Sequence, residues 1–466
     1  MTDRRTFLKA AIAATALGAA KSVFAARPAR PNIVFILADD AGYGDLSCFG
    51  RPDYKTPVLD NLAKEGIKFT DNYSAPVCTP SRVAYHTGRY PHRLEVGLRE
   101  PLTDANMTLG IPPGHPTVAS LLKGNGYATT HIGKWNLGNT VEFGPTTHGF
   151  DEFFGFLASA SDYYTHKNTS GKVDLWENDK PANKEGYLTD LFTERAVEVI
   201  KRKHDKPFFL SLCYNAPHWP WEGPNEKPED HIGGMQGGGS QPKYAEMMKA
   251  MDSGIGKVLA ALKAANLDRN TLVVFDSDNG GERWSYNWPF SGMKNSLLEG
   301  GIRVPAIARW TGVIPPGRST NQVSFIFDWS ATFLDATGTK DDPKYPFDGV
   351  SLLGVCTGEK PVFDRPVFFR TAPRGTVAAM GAMRLGKWKF LIEGTQEHLY
   401  DLTVDPGEKA DVKAQHADIY ASMKAEYDKW NAQMLPNPAA GAGRGGDAAA
   451  AGAGRAGRGA AAATPE

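Results

Sequence analysis

Residues 32–40 read Asn32-Ile33-Val34-Phe35-Ile36-Leu37-Ala38-Asp39-Asp40, an apolar run that ends in two carboxylates. The run is too short for a helix and lacks polar alternation, which is how a strand buried on both faces of a sheet reads. Three more runs repeat the pattern. ATTHIG at 128–133 leads into Lys134, PFFLSLCY at 207–214 leads towards His218, and TLVVF at 271–275 leads into Asp276. Helical periodicity fills the gaps between them, at 56–66 (TPVLDNLAKEG), 117–126, 189–203 and 245–266. Strand and helix in alternation predict an α/β fold with a large mixed sheet sandwiched by helices. In open sheets of this kind ligands gather at the carboxyl ends of strands, so the four polar clusters are expected to converge.

Outward from this core the character changes. Beyond about residue 355 the sequence gives short strand signals (PVFFR, MRLGKWKFLI, EHLYDL) and the turn Asp405-Pro406-Gly407. Ile419, Met423, Tyr427, Trp430 and Met434 then recur at helical spacing. A small antiparallel sheet covered by one amphipathic helix is expected over 356–435, beside a main domain over 27–355. Residues 436–466 are Ala, Gly and scattered Arg, with too little apolar bulk to fold, and read as a flexible tail. At the other end, Arg4-Arg5-Thr6-Phe7-Leu8-Lys9 and the mildly apolar AAIAATALGAA read as a twin-arginine signal over 1–26. The expectation is export through the twin-arginine machinery to the periplasm or beyond.

The chain of 466 residues, 41% of them hydrophobic, is long enough for a large packed domain plus a smaller one. Its 52 basic and 52 acidic side chains cancel, so no overall field draws it to nucleic acid or anionic lipid. Later apolar stretches are too short to span a bilayer. Cys48, Cys78, Cys213 and Cys356 are too few and scattered for a disulfide framework, and no CxxC pair marks zinc.

Asp39 and Asp40 at one strand end, with Asp278 and Asn279 at another, offer hard oxygen ligands without thiolate or imidazole, a set suited to calcium or magnesium. Taken alone, Asp-Asp at a strand end also reads as a cap or turn. A lone cysteine likewise reads first as a small buried hydrophobe.

Cys78-Thr79-Pro80-Ser81-Arg82, continued by Thr87-Gly88-Arg89, resembles the signature of the formylglycine-dependent sulfatases, the arylsulfatase type within the alkaline phosphatase superfamily. Further fragments resemble that family in the same order: GYATTHIGKWNLG with Lys134, PFFLSLCYNAPHWP with His218, FDSDNGG with Asp278 and Asn279, and SGMKNSLLEGGIRVP with Lys294. The resemblance implies an alkaline-phosphatase-like core. It implies that Cys78 is oxidised by a formylglycine-generating maturase before folding, and that the hydrated aldehyde is both nucleophile and metal ligand. It further implies that Asp39, Asp40, Asp278 and Asn279 hold calcium, with magnesium as the alternative. Arg82, Lys134 and Lys294 would neutralise sulfuryl oxygens, and His218 would protonate the departing alcohol.

One departure stands out. Where the family reads Gly-Lys-Trp-His-Leu-Gly, this chain has Asn136, which can orient a hydroxyl but cannot act as a base. His131 lies inside the apolar strand and reads as structural. The aromatics Trp219, Trp221, Trp284, Tyr286 and Trp288 follow the motifs and can stack on sugar rings or pack a core. The glycine-rich segment at 231–242 reads as a mobile loop at the site mouth. The expected substrate is a sulfated carbohydrate, with aryl sulfates second. Two other readings stay open: a phosphodiester or phosphonate monoester hydrolase of the same superfamily, and a sulfated-glycan-binding protein that has lost turnover.

Overall fold

The structure is a computed structural model that describes residues 28, 30–102, 106–226, 235–373 and 377–438. The signal expected over 1–26, the tail beyond 438 and part of the glycine-rich segment lie outside these residues.

The strands run β1 (Asn32–Asp39), β2 (Ile67–Phe69), β3 (Asn72–Tyr73), β4 (Ala128–Lys134), β5 (Glu152–Phe156), β6 (Trp176–Glu177), β7 (Lys180–Pro181), β8 (Phe208–Pro217), β9 (Thr271–Ser277), β10 (Ala306–Arg309), β11 (Arg318–Thr320), β12 (Ser324–Phe325), β13 (Val367–Thr371), β14 (Met380–Leu385), β15 (Trp388–Glu393) and β16 (Gln396–Asp401). The helices are α1 (Pro57–Glu65), α2 (Cys78–Thr87), α3 (Val118–Gly124), α4 (Leu188–Lys201), α5 (Gln241–Ala264), α6 (Glu299–Ile302), α7 (Phe327–Thr337), α8 (Leu353–Thr357) and α9 (Ala417–Asn431).

Among the described residues, ten strands form one mixed sheet in the order β11-β2-β10-β9-β1-β8-β4-β5-β6-β7. Its centre, β9-β1-β8-β4-β5, is parallel. β10 joins β9 and β2 antiparallel, and β6 and β7 add an antiparallel edge. The apolar run of β1 explains itself by burial on both sides. Ile33, Phe35 and Leu37 pack into one core layer and Val34, Ile36 and Ala38 into the other. Residues of α2, α3 and α7 share the first layer, and residues of α1, α4 and α5 share the second. No helix among the described residues is long and apolar enough to cross a membrane.

The expected small sheet is present as the antiparallel order β13-β14-β15-β16. Met423, Tyr427 and Trp430 of α9 are buried with Phe390 and Ala382 in the first core layer. That layer runs without a break from the large sheet to the small one, and α8 spans the division expected at residue 355. A buried ion cluster ties the small sheet to α6 and to β3. Lys389 of β15, wholly enclosed, reaches Glu299 at 2.9 Å and Glu408 at 2.7 Å. Glu299 also accepts from Tyr73 Oη at 2.7 Å and from Arg303 at 3.2 Å, while the Glu408 carboxylate accepts the Glu299 backbone N–H at 2.6 Å.

Candidate active site

The four parallel strands β9, β1, β8 and β4 are neighbours, so their carboxyl ends deliver Asp278, Asp39-Asp40, His218 and Lys134 to one place. The chain leaves β1 with Asp40 at φ 67°, a left-handed turn that a short polar side chain tolerates, and this brings the Asp40 N–H 3.1 Å from Asp278 Oδ1. Facing these ends is the start of α2. Cys78 is its first residue, and Gly88 closes it with φ 69°. The Cys78 thiol lies 3.3 Å from Asp39 Oδ1 and 3.9 Å from Asp40 Oδ1. Asp39, Asp40, Cys78 and His218 offer ligand atoms all within 4.8 Å of one another.

The cations interleave with the carboxylates. Lys134 Nζ donates to Asp39 Oδ2 at 2.7 Å, and Lys294 Nζ donates to Asp40 Oδ2 at 2.7 Å. Arg82 joins the same cluster: its guanidinium donates to Asp278 Oδ2 at 2.9 and 3.1 Å and to the Lys134 carbonyl at 2.8 Å, with Asp39 Oδ1 3.7 Å away. These contacts hold a carboxylate and a strand end in place. His218 Nδ1 lies 2.6 Å from the Trp219 carbonyl, which requires the proton on Nδ1 and leaves the Nε2 lone pair facing Asp40 Oδ2 at 3.7 Å. Asn279 Nδ2 donates to Asp40 Oδ1 at 2.7 Å, while its Oδ1 is buried without a partner.

Burial governs the ionisation of the centre. It would raise the Asp40 carboxyl, yet Lys294, His218 and Lys134 outweigh it and hold Asp40 well below the usual carboxylate range. Asp278 is pushed up to about 6 by burial and by Asp39, against the pull of Arg82. Burial opposes the charges of Lys134 and Lys294, but Asp39 and Asp40 respectively keep both ammonium groups charged. His218 is driven well below 6.5 by burial and Lys294. The start of a helix ordinarily favours a thiolate. Here burial, Asp278 and Asp39 win, and the Cys78 thiol stays protonated far above its ordinary value.

Asn136, also at a positive φ of 54°, donates to Thr79 Oγ1 at 3.0 Å and has its Oδ1 buried without a partner. His131 lies inside β4 against Trp135 and Phe150, with burial lowering it to about 3. Of the aromatics, Trp219 lies 4.4 Å from the His218 ring, Trp221 is core, and Trp288 is exposed. Two supporting residues carry no sequence signal. Glu100 accepts the Thr79 N–H at 2.7 Å at the start of α2, and Tyr163 Oη donates to the carbonyls of Asn215 and His218, fixing the turn after β8.

A mixed sheet whose strand ends present clustered carboxylates, lysines and a helix-borne position 78 defines a hydrolase of the alkaline-phosphatase-like fold. The sequence matches the family described as Sulfatase over residues 31–339. N-acetylgalactosamine-6-sulfatase of Canis lupus familiaris is 33% identical, the match covering 81% of this chain and 75% of that one. Arylsulfatase J of Mus musculus is 29% identical over 87% of this chain and 77% of that protein. A solved structure described as Ps i-CgsB in complex with k-i-k-neocarrahexaose superposes with a TM-score of 0.79 at 32% identity, covering 88% of this chain and 94% of that one. The chain belongs to the sulfatase family and is a sulfuric ester hydrolase.

Proposed function

We propose that the protein hydrolyses sulfate monoesters of a carbohydrate, using a formylglycine hydrate made from Cys78 and assisted by a divalent cation. The observation that carries this reading is the position of Cys78: an enclosed, protonated thiol, useless as a nucleophile in itself, set among Asp39, Asp40, Lys134, His218 and Lys294. Oxidation of that carbon to an aldehyde and its hydration would place a hydroxyl where the sulfur lies. The names of the relatives, one a sulfatase of N-acetylgalactosamine and one solved with an oligosaccharide, support a sugar substrate.

The donors fit a hard cation. Three carboxylates and the orphaned Asn279 Oδ1 converge, and the lysines and Arg82 offset their charge. Asp39, Asp40, Asp278 and Asn279 would hold calcium, or magnesium, together with the hydrate. When bound, the ion supplies positive charge beside the nucleophile and one sulfuryl oxygen. Lys134 and Lys294 then turn from their carboxylates towards the ester. One hydrate hydroxyl attacks sulfur, its proton passing to the free Nε2 of His218, and the S–O ester bond breaks, its electron pair going to the alcohol oxygen. The negative ester beside Nε2 raises the proton affinity of His218 enough for it to hold that proton, which it then donates to the alcohol. The second hydroxyl next loses its proton, the C=O bond re-forms, and sulfate departs with the electrons of its bond to carbon. Asn136 carries no base, so this proton passes to water and release is the slow half of the cycle.

Because Cys78 is enclosed, the maturase must act before folding. Export by the twin-arginine route, which carries folded proteins, fits that order. The test is the mass of the peptide containing residue 78, from protein made with a formylglycine-generating enzyme, paired with sulfate release from sulfated oligosaccharides. An aldehyde or hydrate mass with multiple turnover is expected. An intact thiol in an active enzyme would refute the nucleophile, and preference for phosphorus esters of the same alcohol would reassign the substrate.

A further inference from the structure

Asn215 is 3% exposed, and neither atom of its amide group has a hydrogen-bond partner. Native folds rarely leave a buried amide doubly unsatisfied, because each orphaned group costs stability, and such exceptions call for an explanation.

Its direction follows from strand alternation in β8. Tyr214 points to the α4 side, where its hydroxyl pairs with Thr193 at 2.8 Å. Ser211 and Cys213 point the other way, and Ser211 Oγ accepts from Tyr85 of α2 at 3.1 Å. The register with β1 shifts between Cys213 and Pro217, but Tyr214 and Ala216 on either side of Asn215 both pack into the second core layer, so Asn215 faces the other side, that of α2, at the strand end that carries the catalytic cluster. Gly133 pairs with Cys213, which sets Asn215 level with the residues just after Lys134. There Asn136 leaves a second amide oxygen orphaned. The Asn215 carbonyl is already used by Tyr163 and by the His218 N–H, but those are main-chain contacts that leave the side chain free.

Arg82, the cation of α2, is turned to Asp278 and the Lys134 carbonyl. A sulfuryl oxygen accepts hydrogen bonds only, whereas a hydrate hydroxyl can also donate one; an amide with both atoms unused matches that pair.

We propose that Asn215 is a catalytic residue, its Nδ2 donating to a sulfuryl oxygen and its Oδ1 accepting from a hydroxyl of the residue-78 hydrate. The inference rests on the formylglycine reading for its second half only. Binding of a sulfuryl oxygen needs no hydrate.

The test compares parent enzyme with Asn215→Leu, both made with a formylglycine-generating enzyme and both checked for residue-78 conversion by peptide mass. Turnover of 4-nitrophenyl sulfate, calorimetric binding of inorganic sulfate and the melting temperature are measured on each. A functional amide held at a cost to stability predicts an unchanged or higher melting temperature in Asn215→Leu. It also predicts kcat/KM lower by about 10²- to 10³-fold, the usual loss for one donor to a developing oxyanion. Inorganic sulfate should bind at least tenfold more weakly. Activity within threefold of the parent at equal conversion overturns the proposal, as does a fall in melting temperature with sulfate binding unchanged, which marks a structural side chain. If Asn215→Leu does not fold, Asn215→Asp, similar in shape but lacking the donor, carries the same readouts. A parent with an unconverted thiol sinks the formylglycine reading, and sulfate binding still decides for or against the Nδ2 contact.

Discussion

Replacing Lys389 by Met removes one charge and leaves two buried carboxylates facing each other. Lys389 sits 2.9 Å from Glu299 and 2.7 Å from Glu408, with all three side chains fully enclosed. In the parent, burial would raise Glu299, but Lys389 and Arg303 lower it to about 2, whereas Glu408 is raised by its burial despite Lys389. Glu299 keeps Tyr73 and Arg303 after the substitution, so the uncompensated charge falls mainly on Glu408. Breaking a buried pair in this way costs about 3–5 kcal/mol. In a large domain about 2 °C of melting temperature goes with each kcal/mol, giving a fall of about 6–10 °C.

The pH dependence carries the sharper test. In the parent the depressed Glu299 stabilises the fold above the ordinary value of 4.5, and that contribution fades as pH falls towards about 2. Without Lys389 both carboxyls move up, and a raised carboxyl costs stability from about the unfolded value of 4.5 upwards, where the unfolded chain ionises and the folded state holds its proton. The gap between variant and parent should therefore be widest at pH 7–8, narrow as pH falls towards 5, and go on closing as pH falls towards about 2. Thermal melts followed by circular dichroism across that range measure it, and Lys389→Met combined with Glu408→Gln should recover much of the loss. A gap under about 1 kcal/mol, or one independent of pH, would refute the assignment of Lys389 as the neutralising charge between Glu299 and Glu408.

Other outcomes follow from the site. Asn136→His, at a positive φ that histidine tolerates, should supply the missing base; if release limits the cycle, kcat rises by up to about 10²- to 10⁴-fold and the burst of alcohol release vanishes in rapid-mixing assays. An unchanged burst would show that release is not the slow half. His218→Ala should depress turnover of sugar sulfates far more than of 4-nitrophenyl sulfate, whose leaving group needs no proton; equal losses on both would remove His218 from protonation of the alcohol. Chelation should abolish activity and lower the melting temperature, calcium restoring both; a chelated enzyme with full activity would exclude the cation. Arg82→Lys keeps the charge but not the forked hold on Asp278, so calcium affinity by calorimetry should weaken by about 10- to 100-fold.

Much of the framework was legible because burial on both faces leaves a plain mark. The runs ending at Asp39, Lys134 and Asp276 became β1, β4 and β9, and their shared direction brought the motif residues together. The short pieces were not legible. β2 and β10 have three and four residues, too few to show a period, and α2 opens with Cys-Thr-Pro, which no propensity marks as a helix start. Partnerships over long separations were hidden too. Nothing local in Lys389 points to Glu299, 90 residues away, and nothing in Arg82 shows that it serves Asp278. Which atoms of Asn136 and Asn215 go unused is a property of the packed site alone.

If Cys78 is converted as proposed, its enclosure, 1% exposed at the start of α2, turns folding into a deadline. On that reading a chain that collapsed before its cysteine was converted would be a dead end, well packed and catalytically blank, and no later encounter with the maturase would rescue it. The active fraction of a preparation then reports a race between two rates and not the quality of the fold. Changes that hasten collapse of the β1, β8 and β9 core would raise yield and lower specific activity together. Slower synthesis or cooler growth would do the reverse.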